Sequence, residues 1–273
     1  MPSTADPPDA VDGWDPGQYE RFAAERAQPF WDLAGLLDDR PIRRMVDLGC
    51  GTGSWTVALA DRVGATDVTG VDSSSAMLAA AAELPARPGL TFVHGDVSSW
   101  TSRPDHDLVF SNAALQWVPD HVGVVTRWWA AVRPGGQLAV QIPSNADHPS
   151  HRLAGRLASE EPFRSALGVV PPDQVAANVL APEQYAILLD QLGAARQHVR
   201  LQVYGHALPR TSDVVEWVRG TTLTRFSRRM SPELFEEFVA EYRRRLVAAL
   251  GDRSPYFYPF KRILFWGAKG SGG

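Results

Sequence analysis

Arg44-Met45-Val46-Asp47-Leu48-Gly49-Cys50-Gly51-Thr52-Gly53 is the stretch on which the fold turns. A short apolar run ends in a glycine cluster, and residues 54–63 then carry Trp55, Val57, Ala58, Leu59 and Val63 at helical spacing. Strand, tight glycine turn and helix in that order bring backbone amides close to a ligand, and the helix aims its positive end at an anionic group. Asp67-Val68-Thr69-Gly70-Val71-Asp72 is a second β-branched run. In folds of this kind the acid ending that strand, here Asp72, accepts hydrogen bonds from ribose hydroxyls. Spacing disposes of two rivals. The dinucleotide fingerprint G-x-G-x-x-G fails from Gly49, where Ser54 takes the last position, and from Gly51, where Thr56 does. No glycine-rich loop carries the lysine of a Walker phosphate loop.

Outward from the motif, strand and helix continue to alternate. The alanine-rich segment 74–84 reads as a helix, Thr91-Phe92-Val93-His94 as a third strand and Asp107-Leu108-Val109-Phe110 as a fourth. A helix over 121–132 precedes the stop-and-turn signal Arg133-Pro134-Gly135-Gly136, and Gln137–Ile142 is a fifth strand. Such alternation predicts a parallel sheet with helices on both faces. The second half differs: 149–192 and 211–250 have helical periodicity, Ser231-Pro232-Glu233 reads as a helix start, and Val199–Ala207 and Phe260–Trp266 are strand-like. The expectation is a Rossmann-like, doubly wound, mostly parallel seven-stranded α/β sheet with a helical cap over its carboxyl edge. One domain spans 14–266, with a core at about 40–145 and cap elements at about 146–192 and 209–252, between flexible tails at 1–13 and 267–273.

Composition narrows the function. At 273 residues and 44% hydrophobic, the chain can bury the core of one elaborated domain, and a net charge of −4 offers no basic footprint for nucleic acid or an anionic membrane. Cys50 is the sole cysteine, which excludes an intrachain disulfide and a multi-cysteine metal site. No run reaches the roughly 18 apolar residues of a membrane span, and the Pro- and Asp-rich start lacks the regions of a signal peptide, so a cytoplasmic location is expected. The histidines show no ligand spacing, since His148 and His151 have no third companion, and no metal is expected. Only two of the 27 basic residues, Lys261 and Lys269, are lysines; arginine is the residue that clamps carboxylates bidentately.

The pattern Asp47-x-Gly49-x-Gly51-x-Gly53 resembles motif I of class I methyltransferases, and Gly95-Asp96-Val97 and Ser111-Asn112-Ala113-Ala114-Leu115-Gln116-Trp117 follow in register. A longer series is more particular. It comprises Trp14-Asp15-Pro16, Tyr19, Phe22, Arg26 and Pro29, then Val71-Asp72-Ser73-Ser74 with Met77, then Gln116-Trp117-Val118-Pro119-Asp120-His121. Gln141-Ile142-Pro143, Asn145, Pro149-Ser150-His151, Trp217-Val218 and Tyr258–Phe265 continue it. Over nearly the whole chain from Trp14 the sequence is similar to the trans-aconitate 2-methyltransferase family, with Thr52 where the family usually has proline. The resemblance implies S-adenosyl-L-methionine as cofactor, S-adenosyl-L-homocysteine as its product, and esterification of one carboxylate of a small polycarboxylic acid, trans-aconitate foremost. It implies cofactor contacts at Arg26, Asp47, Gly49, Gly51, Gly53, Asp72, Ser73, Met77, Asp96, Val97, Asn112 and Gln116. Asp96 and Val97 would lie against the adenine, and Asn112 would either accept from the cofactor's amino group or orient the reacting oxygen.

A carboxylic acid with a pKa of about 4 is ionised at neutral pH, so esterification requires no general base. Positioning then falls to Tyr19, Trp117 and Gln141, and acceptor candidates are these with His121, Asn145, His151, Tyr204, His206, Arg225 and Arg262. Arg26 shares a helix face with Tyr19 and Phe22 and reads either the cofactor's methionine carboxylate or the acceptor. His121 is equally placed to cap a helix, and Trp117 to pack as a core aromatic under the cap. Three alternatives stay open, the first being another small-molecule acceptor, whether a different acid, a hydroxyl or a carbon. Arg228-Arg229 and Arg243-Arg244-Arg245 could form a groove for a malonyl group on an acidic carrier protein, or be a solvated helix face; and the chain could bind S-adenosylmethionine without turnover. The expected partner is a small carboxylic acid, with no nucleic acid or membrane, and the chain acts as a monomer or weak homodimer.

Overall fold

The structure, a computed structural model, describes residues 23–271 and the side chains from Ala27 onward. Trp14 and Tyr19 lie outside the described residues, as does the side chain of Arg26. Strands β1 (Arg44–Leu48), β2 (Asp67–Asp72), β3 (Leu90–His94), β4 (His106–Asn112) and β5 (Val132–Pro143) run parallel in the order β3-β2-β1-β4-β5. β7 (Tyr256–Lys269) adds antiparallel to β5, and β6 (Ala194–Leu208) pairs antiparallel with β7 at the edge. The result is the mostly parallel seven-stranded sheet expected from the sequence.

Period-2 alternation builds a core on each face. Val46, Val109, Val140 and Phe265 point to one side, under α4 (His121–Ala131) and α8 (Pro182–Gln191). Met45, Leu108, Phe110, Ala139 and Leu264 point to the other, under α1 (Ala23–Ala34) and α2 (Ser54–Val63). Helix α3 (Ser75–Ala82) packs beside β2 and β3, started by Ser74, whose hydroxyl accepts from Met77 N–H. A third cluster forms the cap from α5 (Pro149–Ala158), α6 (Phe163–Leu167), α9 (Val214–Arg219), α10 (Thr224–Ser227) and α11 (Pro232–Leu250). Helix α11 begins as its sequence predicts, with the Ser231 hydroxyl accepting from Leu234 N–H and Pro232 in the first turn. The short α7 (Gln174–Asn178) lies against the 3₁₀ turn Leu115–Trp117 at the sheet's carboxyl edge.

Several boundaries differ from the sequence expectation. The helical stretch 149–192 is four helices, broken at Pro162, at Gly168 with Pro171-Pro172, and before Pro182. Its last piece, α8, belongs to the sheet rather than the cap, because Tyr185, Leu188 and Leu189 bury against the β4–β5–β7 face. The turn signal at 133–136 is a bulge: β5 pairs Val132 with His106 and resumes at Gln137 opposite Leu108. Gly267, Ala268 and Lys269, assigned to a fraying tail, are the last residues of β7 and pair with β5 and β6. Small residues gave no apolar signal there, yet a side chain at Gly267 would meet Leu189 and Trp129 at 3.1 and 3.2 Å. At their other ends β6 and β7 run past the sheet edge, so that Tyr256, Tyr258 and Phe260 join the cap.

Candidate active site

The β1–α2 turn is shaped by close packing. Gly49 has φ +82°, and a Cβ there would stand 2.2 Å from that of Ala114; Gly53 has φ +77°, and a Cβ would stand 2.4 Å from the Phe92 ring. Both the dihedral and the contact require glycine. Asp72 holds this turn to the next one: Gly51 N–H donates to its Oδ2 at 2.8 Å and Ser74 N–H to its Oδ1 at 2.9 Å. Beside it opens a cavity of about 210 Å³ whose walls include Gly49, Gly51, Asp72, Ser73, Met77, Asp96, Val97 and Asn112. These eight positions, from the β1–α2 turn, the β2–α3 segment, the β3–β4 connection and the end of β4, are among those the sequence singled out for a nucleoside cofactor. Asn112 Oδ1 is buried and has no hydrogen-bond partner among the described residues, leaving an acceptor ready for a ligand's donor. Asp96 is organised by Ser98, whose N–H and hydroxyl donate to its two oxygens at 2.8 and 2.7 Å.

Three of the expected cofactor residues sit elsewhere. Gly53 lies behind the wall against Phe92, where it allows the turn to pack. Asp47 is buried below the loop and accepts from the Thr56 hydroxyl at 2.5 Å. Burial pushes its carboxyl up to about 7, against the Thr56 hydrogen bond and with a smaller push from Asp72. Gln116 faces the next cavity instead; its Nε2 donates to Ala113 carbonyl at 2.7 Å, while its buried Oε1 has no partner among the described residues.

That next cavity, about 90 Å³, shares Ala113 and Trp117 with the first and is walled by Gln116, His151, Trp217, Thr222, Phe260 and Arg262 among others. A larger cavity of about 290 Å³ adjoins it through Trp117, Val175, Thr221 and Thr222, and carries Asp173, Arg225 and Arg228. Trp117 lines all three, so the half-buried ring is a partition rather than a core aromatic. Its neighbour Ala113 holds a left-handed φ of +56°, unusual for a residue with a Cβ, and its N–H donates to Gln141 carbonyl at 2.9 Å.

Among the acceptor candidates, Trp117, His151, Arg225 and Arg262 come together on these walls. Gln141 stands one layer back, its Oε1 accepting from Arg262 Nη1 at 3.2 Å. His121 is a core residue: its Nε2 meets Leu115 carbonyl at 2.9 Å and its Nδ1 the Tyr185 hydroxyl. Burial lowers its pKa, and the carbonyl selects the neutral Nε2–H form, so the Tyr185 hydroxyl donates to Nδ1. Asn145 ties strand ends together, accepting from Lys261 N–H at 3.2 Å and reaching the Tyr258 hydroxyl. Tyr204 points to the opposite face of the sheet, where its hydroxyl donates to Asp32 at 2.8 Å. His206 packs its ring on Trp217, 4.5 Å away.

Asp173 was missed. It caps α7, its Oδ1 accepting from Val175 N–H at 3.0 Å, while its Oδ2 faces His151 Nδ1 at 3.1 Å and Arg225 Nη1 at 3.4 Å. The Pro171-Pro172-Asp173 break and cap were readable locally; the two partners, far away in sequence, were not. Arg228 reaches the mouth of the outer cavity, whereas Arg243, Arg244 and Arg245 are paired with Glu216, Glu241 and Glu160 on the cap surface.

Known proteins share sequence and fold with this chain. Residues 45–136 match the family described as a methyltransferase domain. Trans-aconitate 2-methyltransferase of Deinococcus radiodurans is 42% identical over 256 residues, 92% of this chain and 96% of its own length. The chain belongs to the trans-aconitate 2-methyltransferase family. Its Mycobacterium tuberculosis member is 37% identical over 270 residues, 95% of this chain and 100% of its own. Solved structures share the fold at lower identity. Phosphoethanolamine N-methyltransferase 2 of Haemonchus contortus, in complex with S-adenosyl-L-methionine, superposes with a TM-score of 0.53 at 20% identity, covering 89% of this chain and 52% of that one. The YcgJ protein of Bacillus subtilis gives 0.59 at 14% identity, over 90% of this chain and 100% of its own. Membership in this family makes the chain a methyltransferase with a Rossmann-like core.

Proposed function

We propose that the chain transfers a methyl group from S-adenosyl-L-methionine to one carboxylate of a small polycarboxylic acid, with trans-aconitate as the acceptor. The observation that carries this reading is a nucleoside-sized cavity joined across Trp117 to two further cavities in which Arg262 and then Arg225 are set. The family relatives are named for that acceptor. No helix among the described residues is long and apolar enough to cross a membrane, and we assign the enzyme to the cytoplasm, as a monomer or weak homodimer.

The bound cofactor supplies an electrophilic methyl on a sulfonium; a carboxylate oxygen forms the new bond, the carbon–sulfur bond breaks, and sulfur keeps the pair as a neutral thioether. No proton moves. The chain's own residues therefore bind and align. Asp72 would hold the ribose diol through the lone pairs its backbone bonds leave, and Asp96 and Val97 would border the base. Asn112 Oδ1, buried without a partner among the described residues, would accept from the cofactor's amino group. Trp117 fixes the approach, and Arg262, steadied by Gln141, faces the acceptor from β7. Holding the oxygen in line contributes several kcal/mol through proximity alone.

Mass spectrometry of the purified chain with S-adenosylmethionine and a panel of di- and tricarboxylic acids tests this. A monomethyl ester of trans-aconitate is the expected product. Turnover confined to a carrier-bound malonyl group, or none with any acid, rejects the acceptor.

A further inference from the structure

We propose that Arg225, oriented by Asp173 beside His151, binds a second, non-reacting carboxylate of the acceptor and so selects acids that carry charge at both ends. This rests on the methyl-transfer function proposed above and goes further by dividing the acceptor site in two.

The division follows from which walls are shared. The small inner cavity borders the nucleoside cavity through Ala113 and Trp117, so a carboxylate there meets the methyl group. The outer cavity lies on the cap side of Trp117, bounded by α7 and α10, and its groups can only hold. Arg262 serves the inner space and Arg225 the outer. His151 bridges them, since it lines the inner cavity while its Nδ1 stands 3.1 Å from Asp173 in the outer one. Two cations in series along one channel match an anion with charge at each end.

Arg225 is built for a ligand rather than only for its ion pair. Its side chain is 14% exposed, and Nη1 faces Asp173 Oδ2 at 3.4 Å. Its Nε is buried without a hydrogen-bond partner among the described residues, although a guanidinium carries five donors. Leaving a desolvated guanidinium so thinly paired is costly unless a further anion arrives. Asp173 cannot serve both sides, because its Oδ1 is committed to the amides of α7 and its Oδ2 is shared between His151 and Arg225. It acts as a positioning residue that steers the fork across the cavity. A purely structural pair linking α7 to α10 is the competing explanation.

The full chain is compared with Arg225→Met and Arg225→Lys, using trans-aconitate and crotonate, an unsaturated acid with one carboxylate. Losing a charge-assisted carboxylate contact predicts that Arg225→Met raises KM for trans-aconitate about 10- to 100-fold. The same variant should move kcat less than about threefold, leave crotonate kinetics and calorimetric S-adenosylhomocysteine affinity unchanged, and be partly rescued by lysine, which keeps charge but not the fork. A fall in kcat with KM intact, an equal KM rise for both acids, or weakened S-adenosylhomocysteine binding overturns the proposal in favour of the structural pair. If wild type turns over trans-aconitate alone, the KM-against-kcat split on that acid decides. If it methylates neither acid, the proposed function fails, and titration of trans-aconitate into the S-adenosylhomocysteine-loaded protein decides the subsite. Binding that Arg225→Met abolishes then supports it, and absent or unaltered binding overturns it.

Discussion

Replacing Asp72 with alanine removes one carboxylate that organises two turns and faces the nucleoside cavity. In the folded chain Gly51 N–H donates to Oδ2 at 2.8 Å and Ser74 N–H to Oδ1 at 2.9 Å. Each oxygen retains a lone pair for a ribose hydroxyl. Hydrogen bonds to a charged partner contribute about 1.5–3 kcal/mol each. In the free variant the two amides turn to water, which offsets much of their loss, but the ribose contacts are not replaced. The net effect on cofactor affinity is about 3 kcal/mol, or roughly 100-fold. Asp72→Asn keeps a single carbonyl oxygen and no charge; it serves one amide and one hydroxyl poorly, and its loss is about tenfold. Isothermal titration with S-adenosylhomocysteine reads both variants, and thermal melts confirm that they fold. Alanine binding within threefold of wild type, with melts unchanged, would refute the assignment of Asp72 to the ribose and leave it a loop anchor.

Asp47 carries a pH prediction. Burial holds its carboxyl at about 7 against an ordinary 3.8. The folded chain keeps a proton that the unfolded chain releases, so this residue's contribution to stability declines as pH rises from about 4 to about 7 and is level above that. Asp47→Asn keeps an acceptor for Thr56 without the charge, and melts across that range should show a flatter slope of Tm with pH; an unchanged slope rejects the protonated carboxyl. His121→Leu removes one hydrogen bond each from the Tyr185 hydroxyl and the Leu115 carbonyl, which keep only their bonds from Leu180 N–H and Val118 N–H, and should cost about 2–3 kcal/mol of unfolding free energy with KM for both substrates intact. A selective rise in acceptor KM would return His121 to the site. Trp117→Ala merges the three cavities and should raise KM for cofactor and acceptor together, each by about tenfold or more, in initial-rate assays. An effect on the acceptor alone would remove Trp117 from the cofactor wall.

Where the sequence was legible, the relevant contacts were local. The β1 turn, the ends of β2 and β4 and the start of α11 each depend on dihedrals, caps and periodicity within a few residues. The same local signals misjudged 149–192, because helical periodicity persists across breaks at Pro162 and Pro171-Pro172, and because α8 buries its apolar face against the sheet instead of the cap. They missed the end of β7, where Gly267 is small because Trp129 and Leu189 leave no room, not because the chain frays.

The candidate site divides along the same line. The nucleoside wall was written in motif order, since neighbouring strands of a parallel sheet place the segments that leave their carboxyl ends side by side. Asp72, Asp96 and Asn112 could be named before any contact was known. The acceptor wall draws Trp117, His151, Asp173, Arg225 and Arg262 from separate elements. His121 and Tyr204 had the same chemical credentials as His151, yet they satisfy their polar atoms on Tyr185 and Asp32 in the interior. The sequence by itself determined that this chain winds a parallel sheet around a nucleoside-binding turn. Tertiary structure alone decided which polar side chains close on one another and which are left facing a cavity, because that outcome depends on partners 22 to 172 residues away, on elements that only the packed fold brings together.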